Sequence, residues 1–184
     1  MTRRLCLTFL GLAGALFHDL EHDGCSNKLH REVDGNTSTS PLESKSVALS
    51  ILLFPSFLRL KPLDQALFSP LFSSLILCTD IGNKLQTDHL KTQKETETYL
   101  HYCMRLGDIG CVFQDHATYE VWSRALFDEN TKAGEGVTAE AMRESQRSFL
   151  TNYVRQELNH NLKLFDGAAA AEYASCLEKN IAML

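Results

Sequence analysis

Basic residues are too few here to coat a nucleic acid. Against 23 Asp and Glu stand 18 Lys and Arg, a formal net charge of −5, whereas a nucleic-acid-binding domain carries a clear basic excess. Turn-formers are scarce as well: ten glycines and four prolines in 184 residues do not supply a turn-dense all-β chain. No apolar run reaches the ~18 residues needed to span a bilayer. No C-x-x-C pair occurs among the cysteines, so a finger-type zinc site has no support. The chain is also long for a disulfide scaffold, and Cys6, Cys25, Cys78, Cys103, Cys111 and Cys176 read as buried thiols in a reducing, cytoplasmic setting. What is present is globular, 44% hydrophobic and 22% charged, which excludes global disorder. One apolar core fits this length, so residues 1–184 read as a single domain.

The N-terminus supports two readings. Arg3 and Arg4 precede the apolar stretch Leu5 to Phe17, and Ala13-Gly14-Ala15 has the form of a cleavage site, so residues 1–15 fit a secretory signal by pattern. The stretch runs without a break into Phe17-His18-Asp19-Leu20-Glu21-His22, a cluster on which a targeting segment has no reason to end. A buried helix that delivers His and Asp to a site accounts for both halves.

Helical periodicity recurs along the rest of the chain. Leu5 to Leu20 is apolar on nearly every side and reads as a central helix. A short helix is expected near Lys28 to Val33, and residues 34–43 form a polar surface loop. Ser46 to Leu60 resumes a helical pattern interrupted by Pro55; Pro62 suits the first turn of a helix over Leu63 to Phe68, and Pro70 opens another. Lys84 to Thr98 is polar and carries a solvated helix face. Tyr99 to Leu106 is apolar and stops at Gly107-Asp108. Ala117, Val121, Trp122, Ala125 and Leu126 recur at helical spacing. After a loop over Lys132 to Gly136, Thr138 opens a long helix reaching about Phe165, Gly167 closes it, and Ala168 to Leu184 forms the last helix. The fold class is all-α, a compact multi-helix domain.

Three sets of residues carry chemistry. Imidazole and carboxylate are both first-row metal ligands, so His18-Asp19, with His22 one turn on, can bring both to one ion. Read alone, the dipeptide also fits a charged helix C-terminus; the apolar helix ahead of it weights it toward a metal, because buried charges need a partner. Asp108 follows an apolar segment in the same way, and either caps the next segment or joins His18 and Asp19 at a binuclear centre, whose ions ~3.5–4 Å apart clamp an in-line displacement at phosphorus. Gln146 and Phe149, three apart, share one helix face; an amide suits the edge of a nucleobase and an aromatic ring its π face. Phe149, Tyr119 and Trp122 also fit plain core positions.

In this order the residues resemble the catalytic domain of class I 3′,5′-cyclic nucleotide phosphodiesterases, of the HD metal-phosphohydrolase superfamily. The resemblance is carried by Phe17-His18-Asp19-Leu20-Glu21-His22-Asp23-Gly24 with Ser26-Asn27, Lys45-Ser46-Val47-Ala48, Thr79-Asp80-Ile81, Leu106-Gly107-Asp108-Ile109, Tyr119 with Trp122, Glu144-Ser145-Gln146 with Phe149, and Leu177-Glu178-Lys179-Asn180. It implies an HD-type helical fold and two divalent metal ions, Zn²⁺ with Mg²⁺ or Mn²⁺, held by His18, Asp19 and Asp108. It implies that His22 is a catalytic histidine beside the bridging water and that Asp80 orients ligands from behind. It makes Gln146 the purine-binding glutamine, Phe149 one jaw of a base clamp and Leu126 the apolar residue on the other side. The implied reaction opens the 3′ ester of cyclic AMP or cyclic GMP to a 5′-monophosphate, with a cyclic nucleotide as partner and an upstream regulatory domain or a dimer as further partners.

Three departures from the family pattern stand out. Its His-Asn-x-x-His motif would lie upstream of His18, where this chain has already begun, so an N-terminally truncated domain is expected, short of one ligand and a proton donor worth ~10²–10⁴-fold. His30, His89, His101, His116 and His160 match no motif that would replace them. The family's Glu-x-His-His is absent around Pro41 to Leu49, and Cys111 stands where many members carry Asn. The alternative function is a catalytically incomplete remnant that serves as an interaction module.

Overall fold

The computed structural model describes residues 3–33, 35, 37–58, 62–82, 95–132, 134, 136–162 and 165–184. All regular structure among them is helical. The helices are α1 (Arg3–Phe17), α2 (Asn27–Val33), α3 (Pro41–Leu58), α4 (Pro62–Leu77), α5 (Glu95–Asp108), α6 (His116–Lys132), α7 (Ala139–Phe149), α8 (Arg155–Asn161) and α9 (Gly167–Met183), with a 3₁₀ turn at Gly110–Phe113 and a π-helical turn at Leu150–Val154. The chain divides into two compact units, Met1–Asp108 and Ile109–Leu184.

In the first unit α1 packs against α4 and α5, and α3 against α4. Leu10 and Ala13 of α1 meet Phe72, Leu75 and Ile76 of α4, Cys78, and Met104 of α5. Burying side chains of this size contributes about 1.5–3 kcal/mol each. The expectation that α1 is enclosed all round is corrected: Leu12 and Leu16 are exposed. The helix also ends at Phe17 rather than Leu20. His18 still donates its amide to Gly14, Leu20 donates to Phe17, and the left-handed backbone of Glu21 then stops the spiral.

Prolines break less than the sequence suggests. α3 runs through Pro55 to Leu58, and Pro70 lies inside α4 rather than opening a new helix. A mid-helix proline removes one ladder hydrogen bond; in α4 the complete burial of Leu75 and Ile76 just beyond it offsets that loss. Pro41 opens α3, where Asn27 Oδ1 accepts the otherwise orphaned Leu42 amide at 3.0 Å. Of the polar stretch expected over Lys84 to Thr98, residues 84–94 lie outside the described residues. Its remainder from Glu95 is the start of α5.

The second unit is built on Val112, Tyr119, Leu150, Val154, Leu158 and Leu177, all buried. Thr138 caps α7 by accepting the Ala141 amide. The long helix expected from Thr138 is carried by α7, the π turn and α8 as far as Asn161. Gly167 does not close it: Asp166 accepts the Ala168 and Ala169 amides, so Asp166-Gly167 is a helix start. α9 packs on the 3₁₀ turn, α6 and α8. Its Asn180, fully buried, donates to the carbonyls of Val112 and Gln114 and meets His116 Nδ1 at 3.2 Å. Among the five cysteines with described side chains only Cys78 is buried and Cys103 is exposed, against the expectation of buried thiols throughout.

Candidate metal centre

α1 and α5 each end on a ligand-type residue of the first unit. His18 follows the last residue of α1, and Asp108 is the last residue of α5. His18 Nε2 lies 2.9 Å from Asp108 Oδ1 and 3.3 Å from Asp19 Oδ2. One ligand atom from each residue falls within 4.8 Å of the others. An ion with N and O ligands at about 2.0–2.2 Å holds adjacent ligands ~3–3.5 Å apart, so the donor set and spacing fit one divalent ion. His18 Nδ1 donates to the Ala15 carbonyl at 2.9 Å. That bond fixes the ring with Nε2 toward the carboxylates, the arrangement typical of ligating histidines.

The site is more open than a buried-charge reading implies, since the Asp19 side chain retains 64% of its exposure and Asp108 25%. Without metal, the two carboxylates act on His18 and hold its pKa at about 10, the Asp108 hydrogen bond being the largest cause. Its second hydrogen bond, to Asp19, draws that carboxyl below its ordinary value. A proton thus sits where a cation would.

Asp80 and His22 lie outside this triad. Asn27 Nδ2 donates to Glu43 Oε2 at 2.9 Å and reaches Asp80 Oδ2 at 3.4 Å, while Asp80 Oδ1 accepts the Gly82 amide. Burial pushes the Glu43 carboxyl above its usual range, with the Asp80 charge adding to the effect. His22 accepts the Gly24 amide on Nδ1 and acts electrostatically on both Asp19 and Glu43.

In the second unit Gln146 is buried on α7 and its amide is pinned. Oε1 accepts from Ser123 Oγ at 2.6 Å and from Tyr119 OH at 3.4 Å, and Nε2 donates to the Ser123 carbonyl at 3.5 Å. Gln146 lines a cavity of about 330 Å³ with Tyr119, Ser123, Phe127 and Met142. Phe149 and Leu126 do not line that cavity. Phe149 is half-buried and stacks on Tyr153 across the π turn, centroids 5.3 Å apart and planes at 13°.

The family model for 3′,5′-cyclic nucleotide phosphodiesterase matches residues 6–163. The chain belongs to this family. A solved structure of LmjPDEB1, a Leishmania phosphodiesterase, in complex with IBMX is similar to it with a TM-score of 0.77 at 18% identity. The alignment covers 97% of this chain and 64% of that one. The two share an all-helical phosphodiesterase fold, and the chain spans just under two thirds of the solved structure's length. No curated protein matches it.

Within this phosphodiesterase-family chain the remaining histidines with described side chains are engaged elsewhere. His30 pairs with Asp23, buried His101 meets Ser74 at 2.8 Å, and His116 meets Asn180. His89 and the side chain of His160 lie outside the described residues. Sequence reasoning missed Ser123, Glu43 and the Ala15 carbonyl. Ser123 stands four residues after Tyr119, on the same face of α6, a spacing that would have flagged it. Nothing local marks Glu43, because its partner Asn27 lies sixteen residues away, whereas Ala15 stands three residues before His18, one helical turn back.

Proposed function

We propose that the chain hydrolyses 3′,5′-cyclic nucleotides to 5′-monophosphates, with divalent metal held by His18, Asp19 and Asp108. The observation that carries this is the convergence of one imidazole and two carboxylates at ligand spacing, in a chain of the phosphodiesterase family. Divalent ions would supply Lewis-acid polarisation of the phosphate and acidify water at neutral pH. Zinc with magnesium or manganese is the proposed pair, and the cytoplasm the proposed setting.

The chain's own residues do the rest of the work in this reading. His18 must give up its proton to bind metal, and its Nδ1 bond to Ala15 keeps the ring aimed while it does so. His22 has Nδ1 occupied by the Gly24 amide, which leaves Nε2 to hold or donate a proton. Asp80 steadies the neighbouring backbone and Asn27 rather than binding an ion. Gln146 reads the purine edge with an amide whose rotation Ser123 and Tyr119 restrict, and Phe149, backed by Tyr153, offers a ring face. Leu126 is the proposed apolar contact opposite it.

The deciding experiment is hydrolysis of cyclic AMP and cyclic GMP with Mg²⁺ or Mn²⁺, alongside a metal count per chain. Turnover that depends on added metal supports the reading. No turnover and no tight metal would favour the non-catalytic interaction module.

A further inference from the structure

Between the ligand pair His18-Asp19 and His22 the backbone takes a turn that L-residues rarely adopt. Glu21 has φ of +57°, the only left-handed non-glycine backbone among the described residues. Such a conformation persists only where surrounding contacts over-determine it. Two consecutive residues of α3 do so here. Lys45 Nζ donates to the Glu21 carbonyl at 3.2 Å and pairs with Glu21 Oε2 at 3.4 Å. Ser46, buried, donates its hydroxyl to the Leu20 carbonyl at 3.0 Å. Two adjacent carbonyls of the turn are therefore held by two adjacent side chains from a separate helix. Within the turn, Leu20 donates its amide to Phe17 and His22 to Asp19. Releasing the carbonyls would let Glu21 return to an ordinary conformation, which draws the His22 amide off the Asp19 carbonyl and loosens the Asp19 peptide.

We infer that Lys45 and Ser46 are positioning residues, which lock the His18–His22 turn in its left-handed form and so keep Asp19 within reach of the ion bound by His18 and Asp108. The consequence for metal rests on the reading of those three residues as ligands; the locking of the turn does not. The exposed Lys45–Glu21 ion pair is weak by itself. Its leverage comes from the carbonyl hydrogen bond acting on a strained residue.

Two measurements on the full chain test this. Amide hydrogen exchange on the metal-free protein reads the turn directly, and Mn²⁺ titration reads its effect on the ligands. Lys45→Met is expected to speed exchange at Leu20 and His22 and to weaken Mn²⁺ binding roughly three- to tenfold, with Tm nearly unchanged. Lys45→Arg, which keeps a donor, restores both. In a Glu21→Gly background the left-handed turn carries no side-chain penalty, so adding Lys45→Met changes little. Unchanged exchange at Leu20 and His22 in Lys45→Met overturns the inference, as does faster exchange spread evenly over the whole unit. If the wild-type chain binds no Mn²⁺, the ligand assignment fails, and the exchange comparison still decides whether Lys45 holds the turn.

Discussion

His18 Nε2 and Asp108 Oδ1 meet at 2.9 Å although ninety residues of chain separate them. Neither helix that presents them is a metal motif by itself. The packing of α1 on α5, through Leu10, Ala13 and Met104, brings the two helix ends together. The apolar core of the first unit is what sets ligand spacing.

Removing one ligand should therefore cost metal without costing fold. Loss of outer partners alone typically lowers metal affinity ~10–100-fold, and loss of a direct ligand more. Asp108→Ala is expected to weaken Mn²⁺ binding by at least about a hundredfold, read by calorimetric titration, and to abolish metal-dependent hydrolysis. Retention of tight binding would show that Asp108 is not a ligand.

Metal uptake should release a proton. The metal-free His18 pKa of about 10 lies above its unfolded value of 6.5, so at neutral pH an ion must displace a proton and apparent affinity rises with pH. Calorimetry in two buffers of different ionisation enthalpy should count about one proton released per chain on saturation with metal. Without metal the sign reverses for stability. The protonated His18 pairing is fully present below pH 6.5 and is lost as pH climbs through about 10. The depressed Asp19 pKa contributes stability above 3.8 that is lost as pH falls below it. Chelated protein should thus unfold more readily at pH 10 than at pH 6.

Substrate affinity should track the pinned amide. Leaving a base edge unpaired costs about 1–3 kcal/mol, or ~5–150-fold, so Gln146→Ala should raise KM with a smaller change in kcat. Ser123→Ala leaves Oε1 only the longer Tyr119 bond, and an increase in KM of roughly fivefold is expected. Equal kcat and KM in both variants would remove Gln146 from substrate binding.

Asn180 should matter for stability rather than chemistry. It is fully buried and bonds Val112, Gln114 and His116. Asn180→Ala strands those groups and is expected to cost about 2–3 kcal/mol, read as a lower denaturant midpoint. A neutral result would mean the 3₁₀ turn relaxes to satisfy itself.

Much of this was legible in the residues. Apolar spacing fixed the all-helical class and nearly every helix, and the order of His18, Asp19, Asp108 and Gln146 pointed to the phosphodiesterase family. Errors gathered where local signals compete with burial. Pro70 looked like a helix start, and Gly167 like a helix end. Burial of Leu75 and Ile76 carried α4 through the first, and the Asp166 cap opened α9 at the second.

The linear chain determines which groups are available, because helix periodicity and ligand chemistry are properties of neighbouring residues. Distances between those groups came only with folding. That His18 meets Asp108, that Glu21 turns left-handed under Lys45 and that Ser123 pins Gln146 all depend on contacts made between separate helices and turns. Such contacts leave no periodic trace, and tertiary packing alone could decide them.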